Sequence, residues 1–189
     1  MGDTISVQVI RSRRKTISMQ ITGEKLLVKA PVNMTDTQIR EFLEKHRRWI
    51  GIHMRKAQES TRQAQSAGQL TMDEIRELAD QAMKVLPPKV KHYAQQMGVT
   101  WGRITIRNQR SRWGSCSSKG NLNFNCLLML CPDEVIDSVV VHELAHRKEM
   151  NHSERFYDEI LKVYPDYYKW NSWLKENGPV IMKRMTGPV

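Results

Sequence analysis

Cysteine is scarce and odd in number: Cys116, Cys126 and Cys131 are the only three. No two of them are spaced as CxxC, so neither a disulfide framework nor a second metal site is expected, and a reducing compartment suits the chain. Long apolar runs are missing as well. The longest, Cys126 to Cys131, falls far short of the roughly 20 residues that cross a bilayer. Met1-Gly2-Asp3 leads into a polar strand rather than an apolar signal segment, so the expectation is a soluble, unexported, cytoplasmic protein with no membrane partner. There is no internal repeat, and with 10 Gly and 7 Pro in 189 residues the chain is neither collagen-like, nor low-complexity, nor wholly disordered. What is present is enough for one substantial core, or a catalytic domain with a small accessory lobe: 40% of residues are apolar and 26% charged. Thirty Lys and Arg against 20 Asp and Glu leave a formal charge of +10. Such a field favours nucleotides, nucleic acid or acidic peptides, and also plain solubility.

Residues 5 to 30 read as a β-meander. Ile5 to Ile10 and Thr16 to Ile21 alternate at period two, Thr22-Gly23-Glu24 supplies a turn, and Leu26-Leu27-Val28 follows. Arg11, Arg13, Arg14 and Lys15 crowd the first turn, as in a phosphate-facing loop or, more commonly, a solvated hairpin tip. After Pro31, Thr35 and Gln38 fit a capping box opening one long helix over 36 to 64, with a polar tail and a boundary near Gly68. His46 and His53, seven apart, share a helix face but lack a carboxylate or Cys partner, so they read as ordinary surface. Thr71 and Glu74 form a second capping box. Pro87-Pro88 is expected to kink or interrupt the helix that follows, and Gly98 to stop it.

His142-Glu143-Leu144-Ala145-His146 is the most specific signal. Two imidazoles four residues apart on a helix lie some 40° from the same face and reach one ion, while the Glu beside the first can deprotonate the attacking water. An open catalytic site needs a third protein ligand, and His152 lies six residues on. Asn151 tolerates the left-handed conformation that a reversal would use, so the helix is expected to end around Met150, with Ser153 capping the next one. Upstream, Val135, Ile136, Val139, Val140 and Leu144 make the motif helix largely buried, and Pro132, Asp133 and Glu134 suit its start.

Before that helix, Arg107 to Cys116, a turn at Ser117 to Gly120, and a return strand Asn121 to Asn125 form a hairpin, with Leu122 and Phe124 on a buried face and three Asn on a polar one. Its exposed edge can pair with an extended peptide, or Arg110, Arg112 and Lys119 can grip phosphates, or those charges are simply solvated with Trp113 in the core. Tyr164, Tyr167, Tyr168, Trp170 and Trp173 fall on a late helix and are expected to pack. One Tyr among them can stabilise an oxyanion, and the sequence does not choose which.

Ser111-Arg112-Trp113-Gly114-Ser115-Cys116, His142-Glu143-Leu144-Ala145-His146 and Asn151-His152-Ser153 together resemble the YgjP-like metal-dependent hydrolase family, as do Arg13 to Ser18 and Lys29-Ala30-Pro31. The resemblance implies His142, His146 and His152 as zinc ligands, Glu143 as catalytic base, and a minimal zincin core of gluzincin type. The zinc-helix region is also similar to SprT-like and WLM-type peptidases, which act on proteins crosslinked to DNA. Glu149 stands where metzincins carry Gly, so their turn is not implied.

The expected fold class is therefore α+β: a β-meander and helix over 1–68, then a zincin-like metallohydrolase domain with a mixed sheet over 69–189. The expected activity is peptide-bond hydrolysis with Zn2+, for which Mn2+ or Ni2+ can substitute. Two alternatives stand beside it: a metal-dependent nucleoside triphosphate pyrophosphohydrolase or phosphohydrolase using Arg110, Arg112 or Lys119, and a DNA-associated SprT-like protease using the basic surface.

Overall fold

The computed structural model describes residues 6–22 and 25–185. The chain is a mixed α+β protein that divides into two compact units, Met1–Ser66 and Ala67–Val189. Ile5, where the first strand was expected to begin, and the turn residues Gly23 and Glu24 lie outside the described residues.

In the first unit the strands β1 (Ser6–Ser12), β2 (Ser18–Thr22) and β3 (Lys25–Pro31) form one sheet in the order β1-β3-β2. This corrects the expected meander: β1 runs parallel to β3, with Val7 opposite Leu26, and β2 runs antiparallel to it. Burial explains the order. β3 buries Leu26, Val28 and Ala30 completely, whereas every residue of β1 is exposed, so the strand with the apolar face takes the centre and the exposed one an edge. The expected single helix is two, α1 (Asp36–Lys45) and α2 (Arg47–Ser66). The capping box at Thr35 and Gln38 is formed. The break falls at His46, whose N–H reaches both the Phe42 and Leu43 carbonyls and whose Nδ1 donates to the Phe42 carbonyl as well. Ile39, Ile50 and Met54 close the core over the sheet.

The second unit opens with α3 (Met72–Met97), started by the Thr71–Glu74 capping box and stopped by Gly98 in the left-handed region at φ 64°. Pro87 and Pro88 do not interrupt it. The two carbonyls that lose their N–H donors belong to Met83 and Lys84, both exposed and open to water, while Ala82, Leu86, Val90 and Ala94 hold the other face in the core. Next come β4 (Ile104–Arg107), β5 (Gly114–Cys116) and β6 (Leu122–Asn125), in the order β4-β6-β5, with β6 parallel to β4 and antiparallel to β5. A short 3-10 helix, Cys126–Leu130, leads to α4 (Asp133–Ala145), α5 (Glu154–Val163) and α6 (Tyr167–Lys183). Among the described residues no helix is long and apolar enough to cross a membrane.

Because β6 is the central strand, the expected polar Asn face is spent internally rather than on water. The Asn121 side chain accepts from the Arg103 N–H, Asn123 donates to Ser115, and Asn125 is fully buried. α4 is sunk in the same core, with Val135, Val140, Val141, Leu144 and Ala145 at 0% exposure. Each fully buried Val or Leu contributes about 1.5–3 kcal/mol, so the helix that carries the HExxH motif is held rigidly.

Candidate metal centre

α4 ends at Ala145 rather than near Met150, and His146 is its C-cap. The N–H groups of Arg147, Lys148 and Glu149 turn back onto the Leu144 and Ala145 carbonyls, and the His146 ring donates from Nδ1 to the Glu149 carbonyl at 3.1 Å. The reversal is thus spread over residues 146–153. Asn151 is not left-handed: among the described residues no non-glycine has a positive φ. Ser153 stands at the N-cap of α5 as expected, but its side chain makes no capping bond, and its buried Oγ has no hydrogen-bond partner among the described residues.

The reversal brings His152 back over α4. The rings of His142, His146 and His152 form a near-equilateral triangle with centroid separations of 5.1, 5.0 and 4.9 Å. One nitrogen from each lies within 4.8 Å of the others, and the Nε2 atoms of His142 and His152 are 3.2 Å apart. Phe156, fully buried on α5, touches all three rings and forms the floor of the cluster. Behind the triangle the Nδ1 atoms are occupied, His142 by the Tyr167 hydroxyl at 2.8 Å and His146 by the Glu149 carbonyl. An imidazole whose Nδ1 is so engaged presents Nε2 to a ligand.

Electrostatics suits the same end. Burial, then the neighbouring His146 and His152, hold the His142 imidazolium down to about 4. Burial likewise lowers His146, against the opposing pull of the Glu149 carbonyl. Both rings are therefore neutral at physiological pH, the form in which imidazole donates a lone pair to a metal. Three converging imidazoles, His142 and His146 among them with their second nitrogens anchored, fit a divalent cation of the zinc type.

Glu143 is 5% exposed and accepts no hydrogen bond from any described residue. Burial pushes its carboxyl up to about 8. Its position is set by β5, for a Cβ built on Gly114 would lie 2.6 Å from the Glu143 Oε1 and 2.9 Å from its Cδ. Only glycine lets the strand lie this close over the carboxylate. Next along β5, Cys116 has its thiol raised by burial and then by the Glu143 charge.

Arg110 and Arg112 lie on the connection between β4 and β5, and Lys119 on the turn after β5; all three are exposed, with no carboxylate partner among the described residues. The connection is fastened from below. Asn125 donates to the Gln109 carbonyl at 2.6 Å and the Arg112 carbonyl at 2.9 Å, and accepts from the Leu127 N–H. Trp113 packs on Gly178 of α6, where a Cβ would meet its ring at 3.1 Å. The three cysteines are free thiols, and His46 and His53 each bond a carbonyl of their own helix.

Sequence reasoning missed three residues of this site. Gly114 sits in the motif with no role assigned by the sequence, Asn125 is expected on the polar face of its strand, and Tyr167 is one of several aromatics among which the sequence does not choose. Tyr167, 3% exposed, braces a histidine rather than standing free to meet an oxyanion.

Comparison with known proteins gives a family match: the YgjP-like family, described as a metallopeptidase domain, matches residues 71–177. Among solved structures, the metallopeptidase zymogen of Pyrococcus abyssi abylysin is 23% identical, covering 47% of this chain and 90% of its own at a TM-score of 0.42. The zymogen of Methanocaldococcus jannaschii jannalysin is 20% identical, covering 47% and 93% at 0.40. No curated protein matches the chain.

Proposed function

The chain belongs to the YgjP-like metallopeptidase family, and from that premise we propose that it hydrolyses peptide bonds with a divalent cation, zinc in the first place, held by His142, His146 and His152. Such an ion, when bound, polarises the scissile carbonyl and acidifies the attacking water. With the positive charge of such an ion offsetting the burial that raises its carboxyl, Glu143 would be ionised, accept the proton of that water and pass it to the departing amine nitrogen. Tyr167 and the Glu149 carbonyl keep the His142 and His146 rings turned with Nε2 inward. β5, an edge strand of its sheet, offers backbone groups to which an extended peptide pairs as an added strand.

The observation that carries this reading is the convergence of three imidazole nitrogens within 4.8 Å beside a buried carboxylate. The test is turnover of casein-derived peptides by the zinc-loaded chain and by Glu143→Gln. Loss of a general base costs about 10²- to 10⁴-fold, with metal content unchanged; equal turnover by both proteins would remove Glu143 from its role. A second reading rests on the exposed Arg110, Arg112 and Lys119, which have no carboxylate partner among the described residues and suit a nucleoside triphosphate. The same two proteins on a nucleotide panel separate the readings: phosphate or pyrophosphate release by wild type alone, with peptides left intact, moves the substrate class to nucleotides.

A further inference from the structure

We propose that the outer face of α2 binds single-stranded nucleic acid, with Trp49 as a stacking platform and Arg48, Arg55 and Lys56 as phosphate contacts. The N-terminal unit is where the chain's charge is concentrated. Residues 1–66 hold 13 of the 30 Lys and Arg but 6 of the 20 Asp and Glu. They lie outside the stretch matched by the metallopeptidase family and contribute nothing to the histidine cluster.

At 100° per residue, Arg48, Trp49, Ile52, Arg55 and Lys56 fall in a sector of roughly 120° on α2, and all are exposed. Ile50 and Met54, on the opposite side, are buried in the unit's own core. Trp49 stays 37% exposed and stacks on His53 at 4.0 Å between centroids with planes 22° apart. The His53 Nδ1 donates to the Trp49 carbonyl at 2.9 Å, so the pair is preorganised rather than mobile. Arg47 and Arg62 have carboxylate partners in Glu44 and Glu59. Arg48, Arg55 and Lys56 have none among the described residues.

A fixed, exposed aromatic pair amid uncommitted cations matches the needs of an unpaired strand, whose bases can stack and whose phosphates follow the charge. A duplex hides the faces of its bases from such a platform. A membrane surface would need a broad apolar face, but α2 has already turned its apolar side into the core, leaving only Trp49 and Ile52 outside.

The test is fluorescence anisotropy of the full chain with labelled oligo(dT) and oligo(U), a duplex control and anionic phosphatidylserine vesicles, over a salt series. Trp49→Ala is expected to weaken single-strand binding by about 5- to 150-fold, the range for loss of one stacked base. Joint Arg55→Gln and Lys56→Gln substitution is expected to reduce the slope of log affinity against log salt by about 1.4, at about 0.7 per phosphate contact. These two positions are exposed, so that variant stays informative even if Trp49→Ala disturbs the fold, which circular dichroism would reveal. The proposal is overturned by absence of single-strand binding at low salt, by an unaltered salt slope in the double variant, by duplex affinity equal to that for single strands, or by binding to vesicles alone.

Discussion

Tyr167 and Gly114 each fix the setting of a group that the proposed hydrolysis uses. The Tyr167 hydroxyl is the partner of the buried His142 Nδ1. Tyr167→Phe keeps the ring packing and deletes that one bond, so metal affinity should fall by about 10- to 100-fold, the usual effect of losing a partner behind a ligand. Competition against a chelating dye measures it, and unchanged affinity would show that His142 orients itself. Gly114→Ala acts on Glu143 instead. The added methyl would occupy space 2.6 Å from the Glu143 Oε1, and displacing a reacting group by about 1 Å costs on the order of 10² in rate. Turnover should drop to that extent while metal content stays at the wild-type level; a loss of metal would mean that the methyl disturbs α4 as a whole. HExxH was legible because the two proposed ligands and the proposed base lie within five consecutive residues, where helical periodicity alone aligns them. Tyr167 and Gly114 meet the motif only after α6 and β5 have packed, a relation that no spacing encodes.

At the scale of elements, the connections carry much of the precision. Asn125 satisfies two carbonyls and one N–H at a fully buried position. Asn125→Ala leaves them unpaired and should cost about 3 kcal/mol, read by urea denaturation; a cost under about 0.5 kcal/mol would show that water replaces the side chain. Lys89 ties α3 to α4 through Asp133 and Asp137, both at 2.7 Å. Burial opposes its charge, but the two carboxylates outweigh that and raise the ammonium above the ordinary 10.5. A raised folded value means the contribution is intact below 10.5 and is lost as pH climbs through the folded value. Lys89→Met should therefore destabilise by about 1 kcal/mol, modestly because Asp133 is 69% exposed. That difference should be constant through neutral pH and close above 10.5; a gap that persists at higher pH would assign it to packing. Capping boxes at Thr35 and Thr71 could be read in advance because they are local bargains among four residues. Strand order, the uninterrupted α3 and the early end of α4 could not, since each is decided by what a distant element buries or bonds.

The whole molecule is two compact units with different surfaces, one matched by the family and carrying the histidine cluster, the other carrying most of the excess charge. A ligand that binds only the folded state stabilises it by about 2.7 kcal/mol at a hundredfold excess over its dissociation constant. Zinc should accordingly raise the melting temperature of the full chain by several degrees, and EDTA should return it. A melt indifferent to both would leave the cluster without a ligand. Whether His142, His146 and His152 jointly hold one cation is read from the metal-to-protein ratio of the purified chain and its variants, measured by inductively coupled plasma mass spectrometry. Wild type and Glu143→Gln should each carry one ion per chain, and His142→Ala, His146→Ala and His152→Ala close to none. A full complement of metal in His152→Ala would contradict that joint site.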